Sequence, residues 1–128
     1  MNAKKIKMQT GSRKTARAVV MWTKNSDQII NNISLKAYFK EERFVEDILR
    51  PFKVLELNVG FKARVRGGGI SAQSAALRYA LSKLLAGENT EVRKKLKANA
   101  LLSGDPRSVE RKKVGLYKAR AKYPFNRR

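Results

Sequence analysis

A run of small residues could bind a phosphate. Gly67-Gly68-Gly69-Ile70-Ser71-Ala72 matches G-x-G-x-x-A between a predicted strand and a predicted helix. Glycines let backbone amides approach a phosphate, and a helix N-terminus favours an anion, so the spacing is typical of a dinucleotide-binding loop. Such a site also needs an acid about 20 positions on, at the end of a second parallel strand. Glu88 and Glu91 lie near that distance but at a predicted helix end and cap. The same amides could instead hold a phosphate of RNA.

Paired carboxylates are the other candidates for chemistry. Glu41/Glu42 and Glu46/Asp47 share one predicted helix with several basic residues, so a solvated helix face explains them better than an acid–base pair. The chain has no Cys and no His, which removes thiol catalysis, the usual general base and the usual zinc ligands. We therefore predict no catalytic residue, no cofactor and no metal site, and we do not expect an enzyme.

The net charge is concentrated at the two ends of the chain. Thirty Lys and Arg against ten Asp and Glu give +20 over 128 residues. Residues 1–26 hold seven bases and no acid, and residues 107–128 hold nine bases and one acid. Ends of a single sign repel themselves, so the expected partner is a polyanion, most commonly a nucleic acid. An anionic membrane surface or an acidic protein is the alternative.

The last segment combines cations with aromatic residues. Tyr117, Tyr123 and Phe125 are interspersed among its Lys and Arg residues. Cations pair with phosphates, and aromatic rings stack on bases or fill RNA grooves. Residues 113–128 could reach roughly 50 Å if extended at about 3.3 Å per residue. A tail that contacts nothing is the plainer alternative.

Hydrophobic periodicity predicts alternating strands and helices. Strands are expected over 15–22, 28–33 and 54–66, and helices over 35–39, 42–50, 71–86 and 91–97. Ser34 caps the first helix, Pro51 ends the second, and Gly87 takes a left-handed conformation after the third. The 71–86 helix has an apolar stripe that includes Ile70, and the 54–66 strand has an apolar face that includes Leu57.

These elements predict an α+β or α/β layer of one mixed sheet with packed helices. The length corresponds to about one domain. We predict a basic N-terminal extension over 1–9, a globular RNA-binding body over 10–106 and an extended basic tail over 107–128. No stretch approaches the roughly 20 apolar residues of a membrane helix, and no apolar core follows the first basic residues as in a secretory signal. No membrane partner is expected.

Three blocks carry a family resemblance. They are Gly11-Ser12-Arg13-Lys14-Thr15, Gly67-Gly68-Gly69-Ile70-Ser71 with Gln73, and Asp105 through Arg120. The run Val109-Glu110-Arg111-Lys112-Lys113-Val114-Gly115-Leu116 within the last block is long and specific. From about Thr10 to Arg128 the chain resembles the ninth protein of the small ribosomal subunit, a universal family, in its bacterial or organellar form.

The resemblance implies a fold. It is a single small α+β domain with a mixed four-stranded sheet packed by helices, like the second domain of ribosomal protein five. It includes a left-handed βαβ crossover, which the handedness rule for parallel strands does not predict. A long, extended basic C-terminal tail follows the domain.

The resemblance also implies a function. The protein would be a structural constituent of the small ribosomal subunit that binds 16S-type rRNA in the subunit head, beside neighbouring ribosomal proteins. Its tail would reach the anticodon stem-loop of P-site tRNA, with Arg128 in contact and Arg127 in support. The ribosome would be that of a bacterial cytoplasm, a mitochondrion or a plastid.

Charge and resemblance together predict the residues that contact rRNA. They are Arg13, Lys14, Arg17, Lys62, Arg64, Arg66, Gly67, Gly68, Gly69, Ser71, Gln73, Arg107, Arg111, Lys112, Lys113, Lys118, Arg120 and Lys122. Two other functions stay open at this point. One is a small phosphate-ester enzyme that uses Gly67-Gly68-Gly69, the glycine loop, at a helix start. The other is a non-ribosomal basic protein that binds DNA or membranes.

Overall fold

The computed structural model describes residues 7–125 of the chain. Five strands and four helices follow one another in this range. They are β1 (Met8–Arg13), β2 (Ala16–Trp22), β3 (Gln28–Ile30), β4 (Ile33–Ser34), α1 (Leu35–Tyr38), α2 (Glu42–Leu55), β5 (Phe61–Arg66), α3 (Ile70–Ala86) and α4 (Thr90–Ala98). β1 begins two residues before the predicted start of the body.

The strands form one mixed sheet in the order β1-β2-β5-β3-β4. β2 pairs antiparallel with both β1 and β5, β3 runs parallel to β5, and β4 closes a hairpin with β3. The α+β class is confirmed, but the sheet has five strands rather than the expected four. The sequence of β1 is mostly polar and shows no hydrophobic alternation, so periodicity could not predict it.

The strand predicted over 28–33 is divided by a turn at Asn31-Asn32. Both residues have positive φ angles, 49° and 67°, in the left-handed region where Asn is enriched. The side chain of Asn31 then acts as a substitute for a strand backbone. Its Nδ2 donates to the carbonyl oxygen of Val65, and its Oδ1 accepts from the amide of Val65, each at 3.0 Å. The turn therefore continues the pairing of β5 beyond the end of β3.

The core lies between one face of the sheet and the helices. α3 packs against β1, β2 and β5, and α2 packs against α3. The sheet residues that face the helices are fully or almost fully buried: Ala16, Ala18, Val20, Phe61, Ala63 and Val65. The strand predicted over 15–22 is confirmed as β2, with Trp22 half-buried at its end. The opposite face of β2 and β5 is left exposed.

Helix α2 passes through Pro51, so the prediction that this proline ends the helix is wrong. Pro51 cannot donate to the carbonyl of Asp47, a loss that costs about 3 kcal/mol in a helix interior. The helix continues because its next residues complete the apolar stripe. Pro51 is fully buried, and Phe52 is 4% exposed and stacks on Phe61 with ring centroids 6.0 Å apart. Burial of Pro51 and Phe52 offsets the missing hydrogen bond, since a fully buried large apolar side chain contributes about 1.5–3 kcal/mol.

The predicted strand 54–66 is also wrong in its first half. Val54 and Leu55 belong to α2, which ends at Glu56 in a left-handed conformation with φ 54°. Leu57, expected on the buried face, is 45% exposed. Only Phe61–Arg66 forms a strand, and there the alternation of buried and exposed residues is complete. Helix α2 continues after Pro51 and includes Val54 and Leu55, which the period-two pattern had assigned to the strand.

Two details of α3 differ from expectation. Ile70 is 54% exposed and therefore lies outside the apolar stripe, which is formed by the buried residues Ser74, Leu77, Leu81, Leu84 and Leu85. Gly87 has φ −72° and ψ −13°, so it is right-handed and not left-handed. The predicted cap at Ser34 is confirmed, because its side chain accepts the amide of Ala37 at the start of α1. Asn89 caps α4 in the same way by accepting the amide of Glu91.

Candidate nucleic-acid interface

The exposed face of the sheet carries four cations. Arg17 on β2 stands opposite Arg66 on β5, Val19 opposite Arg64, and Met21 opposite Lys62. Alternation places all these side chains on the face away from the helices, and the four cations are exposed. Two of the six pairs across these neighbouring strands thus bring a cation beside an apolar side chain, and one brings two arginines together.

No acid balances these cations within the described strands, whose sequences contain neither Asp nor Glu. The ion pairs found across residues 7–125 use other bases, so the four cations of this face form none. Like charges directly opposite each other in a sheet are destabilising, by roughly 0.2–1 kcal/mol. An external anion next to Arg17 and Arg66 would relieve this repulsion.

Apolar side chains lie between the cations of this exposed face. One open cleft is lined by Thr15, Arg17, Val19, Arg64, Arg66 and Gly67. A second, next to it, is lined mainly by Met8, Val19, Met21, Lys62 and Arg64. Cations at the rim with apolar side chains between them suit a polyanion that also presents ribose and base surfaces. Sequence reasoning missed Met8 because β1 was not predicted.

The glycine loop packs on the β1–β2 hairpin. Gly67 and Gly68 have φ angles of 71° and 63°. A Cβ on Gly67 would lie 2.6 Å from the carbonyl oxygen of Thr15, and one on Gly68 would lie 2.9 Å from the Cβ of Ala16. Gly69 is different, because a Cβ there would meet nothing within 4 Å. The first two glycines are thus required by conformation and close packing, and the third is the residue just before α3.

The loop does not belong to a dinucleotide fold. Between α3 and the end of the described chain there is no strand that could carry the acid of such a site. Glu88, one of the two acids at the right spacing, binds Lys7 at 3.1 Å and accepts from the Trp22 indole at 3.3 Å. Glu91 lies in the first turn of α4. The match to G-x-G-x-x-A is therefore a coincidence of sequence.

Gln73 has a structural role in this region. Its Nε2 donates to the carbonyl oxygen of Gly67 at 2.9 Å, and its Oε1 accepts from the Tyr38 hydroxyl at 2.8 Å. The side-chain amide thus ties the glycine loop to α1. Ser71 is exposed in the first turn of α3, beside the amides at the helix start. Of these two predicted contacts, Ser71 is the better placed for an external phosphate.

The start of the tail at Arg107, the tail root, is joined to Arg13 of β1 through the carboxylate of Asp105, and these contacts form a clamp. Asp105 lies 3.2 Å from Arg13 and accepts hydrogen bonds from the Nε, Nη2 and backbone amide of Arg107. Arg13 also donates to the carbonyl oxygen of Arg107 at 3.1 Å. The hydrogen bonds from the Arg107 side chain, then those from its backbone, hold the pKa of Asp105 well below its usual range, and the same pair raises the pKa of Arg107.

The three sequence blocks that carried the resemblance meet at one end of the sheet. The hairpin Lys14-Thr15 touches the glycine loop on one side, and Arg13 binds Asp105 and Arg107 on the other. The role of Asp105 was not predicted from the sequence. An Asp whose carboxylate accepts the backbone amide two residues later forms an Asx turn, and this pattern could have indicated the role.

The rest of the described tail contains no helix or strand. Its predicted contacts Arg111, Lys112, Lys118 and Lys122 are exposed. Lys113 and Arg120 instead bind the two carboxylate oxygens of Glu110. Arg127 and Arg128, expected to contact tRNA, lie outside the described residues.

Titration of Asp105 tests the clamp. In a ¹³C NMR titration we expect its carboxyl to titrate well below the ordinary value near 3.9, because Arg107 stabilises the charged form. Since the folded pKa is the lower one, the clamp contributes fully above that ordinary value and is lost as pH falls towards the lowered pKa. Arg107→Gln should move the midpoint back up, whereas Lys112→Gln should leave it unchanged. An unshifted midpoint in the wild type would contradict the clamp.

Comparison with known proteins identifies the family. The family model described as ribosomal protein S9/S16 matches residues 11–128. The chain belongs to this family. It is 42% identical over 121 residues to the small ribosomal subunit protein uS9 of Chlorobium phaeovibrioides, an alignment that covers 92% of this chain and 94% of that one. The uS9 protein of Aquifex aeolicus is 40% identical, covering 93% and 88%, and that of Rickettsia bellii 42%, covering 93% and 74%.

Membership in the S9 family decides between the functions left open by the sequence. The chain is a structural ribosomal protein of the small-subunit S9 type, part of a ribonucleoprotein that works in translation, and not an enzyme. The described part of the chain holds no helix long and apolar enough to cross a membrane. Within the same residues, no group of three acids could hold a metal ion.

Proposed function

We propose that this S9-family protein binds small-subunit rRNA through the open face of its sheet and the adjoining hairpin end. The open face is defined by Arg17, Lys62, Arg64 and Arg66. The observation that carries the proposal is that these four cations share one face with no acid among them, and two of them stand directly opposite each other. A polyanion next to such a face would relieve the repulsion between its cations.

The hairpin end adds backbone contacts to the same surface. Lys14 lies at its tip with φ 52°, beside the glycine loop. We assign Gly67, Gly68, Gly69 and Ser71 to a phosphate of the RNA backbone, which their amides and the α3 N-terminus suit. Arg13 and Arg107 hold the tail root at this end, so RNA bound here also meets the first cations of the tail.

The tail is proposed to continue along RNA and to reach the P-site tRNA. Its exposed Arg and Lys residues and its three exposed aromatic side chains support the first part. The second part assigns Arg128, supported by Arg127, to the anticodon stem-loop.

We further propose that the protein lies in the subunit head, among other ribosomal proteins, in a bacterial or organellar ribosome. The β3–β5 connection is proposed to be the left-handed βαβ crossover.

A filter-binding titration of the purified protein with small-subunit rRNA tests the proposal. Because binding by cations releases counterions from phosphate, affinity should fall steeply between about 50 and 200 mM salt, by a factor on the order of 10³ or more for six or more phosphate contacts. An affinity that stays flat over this range would overturn it.

Removal of the last two residues tests the assignment to tRNA. Deleting Arg127-Arg128 should leave rRNA binding and subunit assembly intact but weaken retention of P-site tRNA, because only the tip is removed. The measurement is the dissociation rate of tRNA from purified small subunits. Replacing Arg111-Lys112 by Gln, which removes the same charge from the middle of the tail, is the matched control and should not change that rate as strongly. Equal tRNA retention by the truncated and wild-type subunits would contradict the assignment.

A further inference from the structure

Glu110 holds a loop of the tail closed. Its Oε1 accepts from Lys113 Nζ at 2.8 Å, and its Oε2 accepts from Arg120 Nε at 3.0 Å. One carboxylate thus bridges two cations that lie on either side of the turn at Gly115, where φ is 82°. The bridge joins residues ten positions apart in a segment with no regular secondary structure.

Other contacts support the same closed loop. The Tyr117 amide donates to the carbonyl oxygen of Ala121 at 2.7 Å, and the Tyr117 and Tyr123 rings meet edge to face with centroids 5.9 Å apart. Leu116 and Ala119 are the apolar residues of the loop that are partly covered. Ten residues would span about 33 Å if extended, so closure shortens the tail considerably.

Glu110 is also the single acid of the tail. Residues 107–128 contain nine bases and this one carboxylate. If the acid served only solubility or charge balance, its position would be immaterial, yet each of its two oxygens binds a different cation. A phosphodiester likewise offers two anionic oxygens to Lys and Arg donors. The carboxylate therefore has the chemistry of an internal substitute for phosphate.

We propose that Lys113 and Arg120 each bind an RNA phosphate, and that Glu110 pairs with both cations until RNA displaces it. The proposal rests on the proposed function, since it presumes that the tail binds RNA. Displacement exchanges one charge-assisted pair of contacts for another, so it costs little. It also releases the loop, and the tail lengthens only where rRNA is present to receive it.

The absence of Cys from the chain makes the test direct. Spin labels on Ser108→Cys and Ala121→Cys, which lie on either side of the bridge and are both exposed, report the end-to-end distance of the loop. We expect a short distance in the free protein and a longer one after small-subunit rRNA is added. Glu110→Gln should lengthen the distance without RNA, and it should raise rRNA affinity roughly two- to fivefold, the range expected from releasing an exposed ion pair.

Glu91→Gln is the matched control, because it removes the same charge from an exposed acid on α4. It should leave the label distance unchanged and alter the affinity less than Glu110→Gln. A long distance in the free wild-type protein, or equal effects of the two variants on rRNA affinity, would overturn the inference alone. Failure of the wild type to bind rRNA would overturn the proposed function and the inference with it.

Discussion

Replacing the four open-face cations by Gln should reduce rRNA binding more than any other change of equal charge. The variant is Arg17→Gln, Lys62→Gln, Arg64→Gln and Arg66→Gln. Each phosphate contact contributes about 0.7–0.9 to the slope of log K against log salt. The slope of the variant should therefore be shallower by about 3, and its affinity at low salt should fall by several orders of magnitude. Filter binding over a salt series measures both quantities.

A second four-cation variant is the matched control. Arg93, Lys94, Lys95 and Lys97 are all exposed on α4, and replacing them by Gln lowers the net charge by the same four units. They lie on a helix whose charges a solvated surface explains, so we expect a much smaller change in slope. If both variants lose binding equally, total charge governs affinity and the open face has no special role.

The open-face variant should also be no less stable than the wild type. Arg17 and Arg66 oppose each other across β2 and β5 without an acid nearby, so removing either charge relieves a repulsion of roughly 0.2–1 kcal/mol. A rise in the urea midpoint together with weaker binding would show that the face is arranged for a ligand rather than for folding. A marked fall in the midpoint would mean that the arginines stabilise the sheet.

Gly11→Ala should destabilise the protein strongly. A Cβ at Gly11 would lie 2.3 Å from the carbonyl oxygen of Ala76 and 2.7 Å from the amide nitrogen of Ala80, both backbone atoms of α3. Because neither atom can move without shifting the helix, the variant should lose roughly 1–3 kcal/mol or more of its free energy of unfolding. Urea unfolding followed by circular dichroism measures the loss.

Gly87→Ala is the comparison for that substitution. Gly87 is right-handed, and a Cβ there would make ordinary contacts of 3.5 Å and 3.7 Å with two α3 carbonyl oxygens. Replacing such a glycine restricts the unfolded chain, so the variant should be unchanged or more stable by up to about 1 kcal/mol. Equal losses at Gly11 and Gly87 would contradict the close packing of β1 on α3.

Local patterns predicted the elements whose two faces differ in character. The alternation in Ala16–Trp22 and Phe61–Arg66 gave the buried and the basic face of the sheet, and α3 followed from its stripe. Pro51 misled the prediction, because the gain from burying Phe52 depends on Phe61 and is invisible locally. β1 was missed because its residues are mostly polar, and the close approach of Gly11 to α3 is a contact that no local pattern shows.

The candidate site could likewise be predicted only in part from the sequence. Its residue types and the basic face could be predicted from charge and alternation. The meeting of hairpin, glycine loop and tail root could not, because Arg13 and Arg107 are 94 positions apart and no local rule joins them. The contact between Glu110 and Arg120 was likewise not predicted, because the tail was expected to be extended.

We propose that contacts with rRNA hold this S9-family chain in the small ribosomal subunit. The most direct measurement is sedimentation of the epitope-tagged chain with lysate ribosomes through a high-salt cushion, followed by separation of the subunits. We predict that the protein stays with the small subunit at high salt and is released when the RNA is digested with ribonuclease. Recovery at the top of the cushion, or with the large subunit, would contradict the claim.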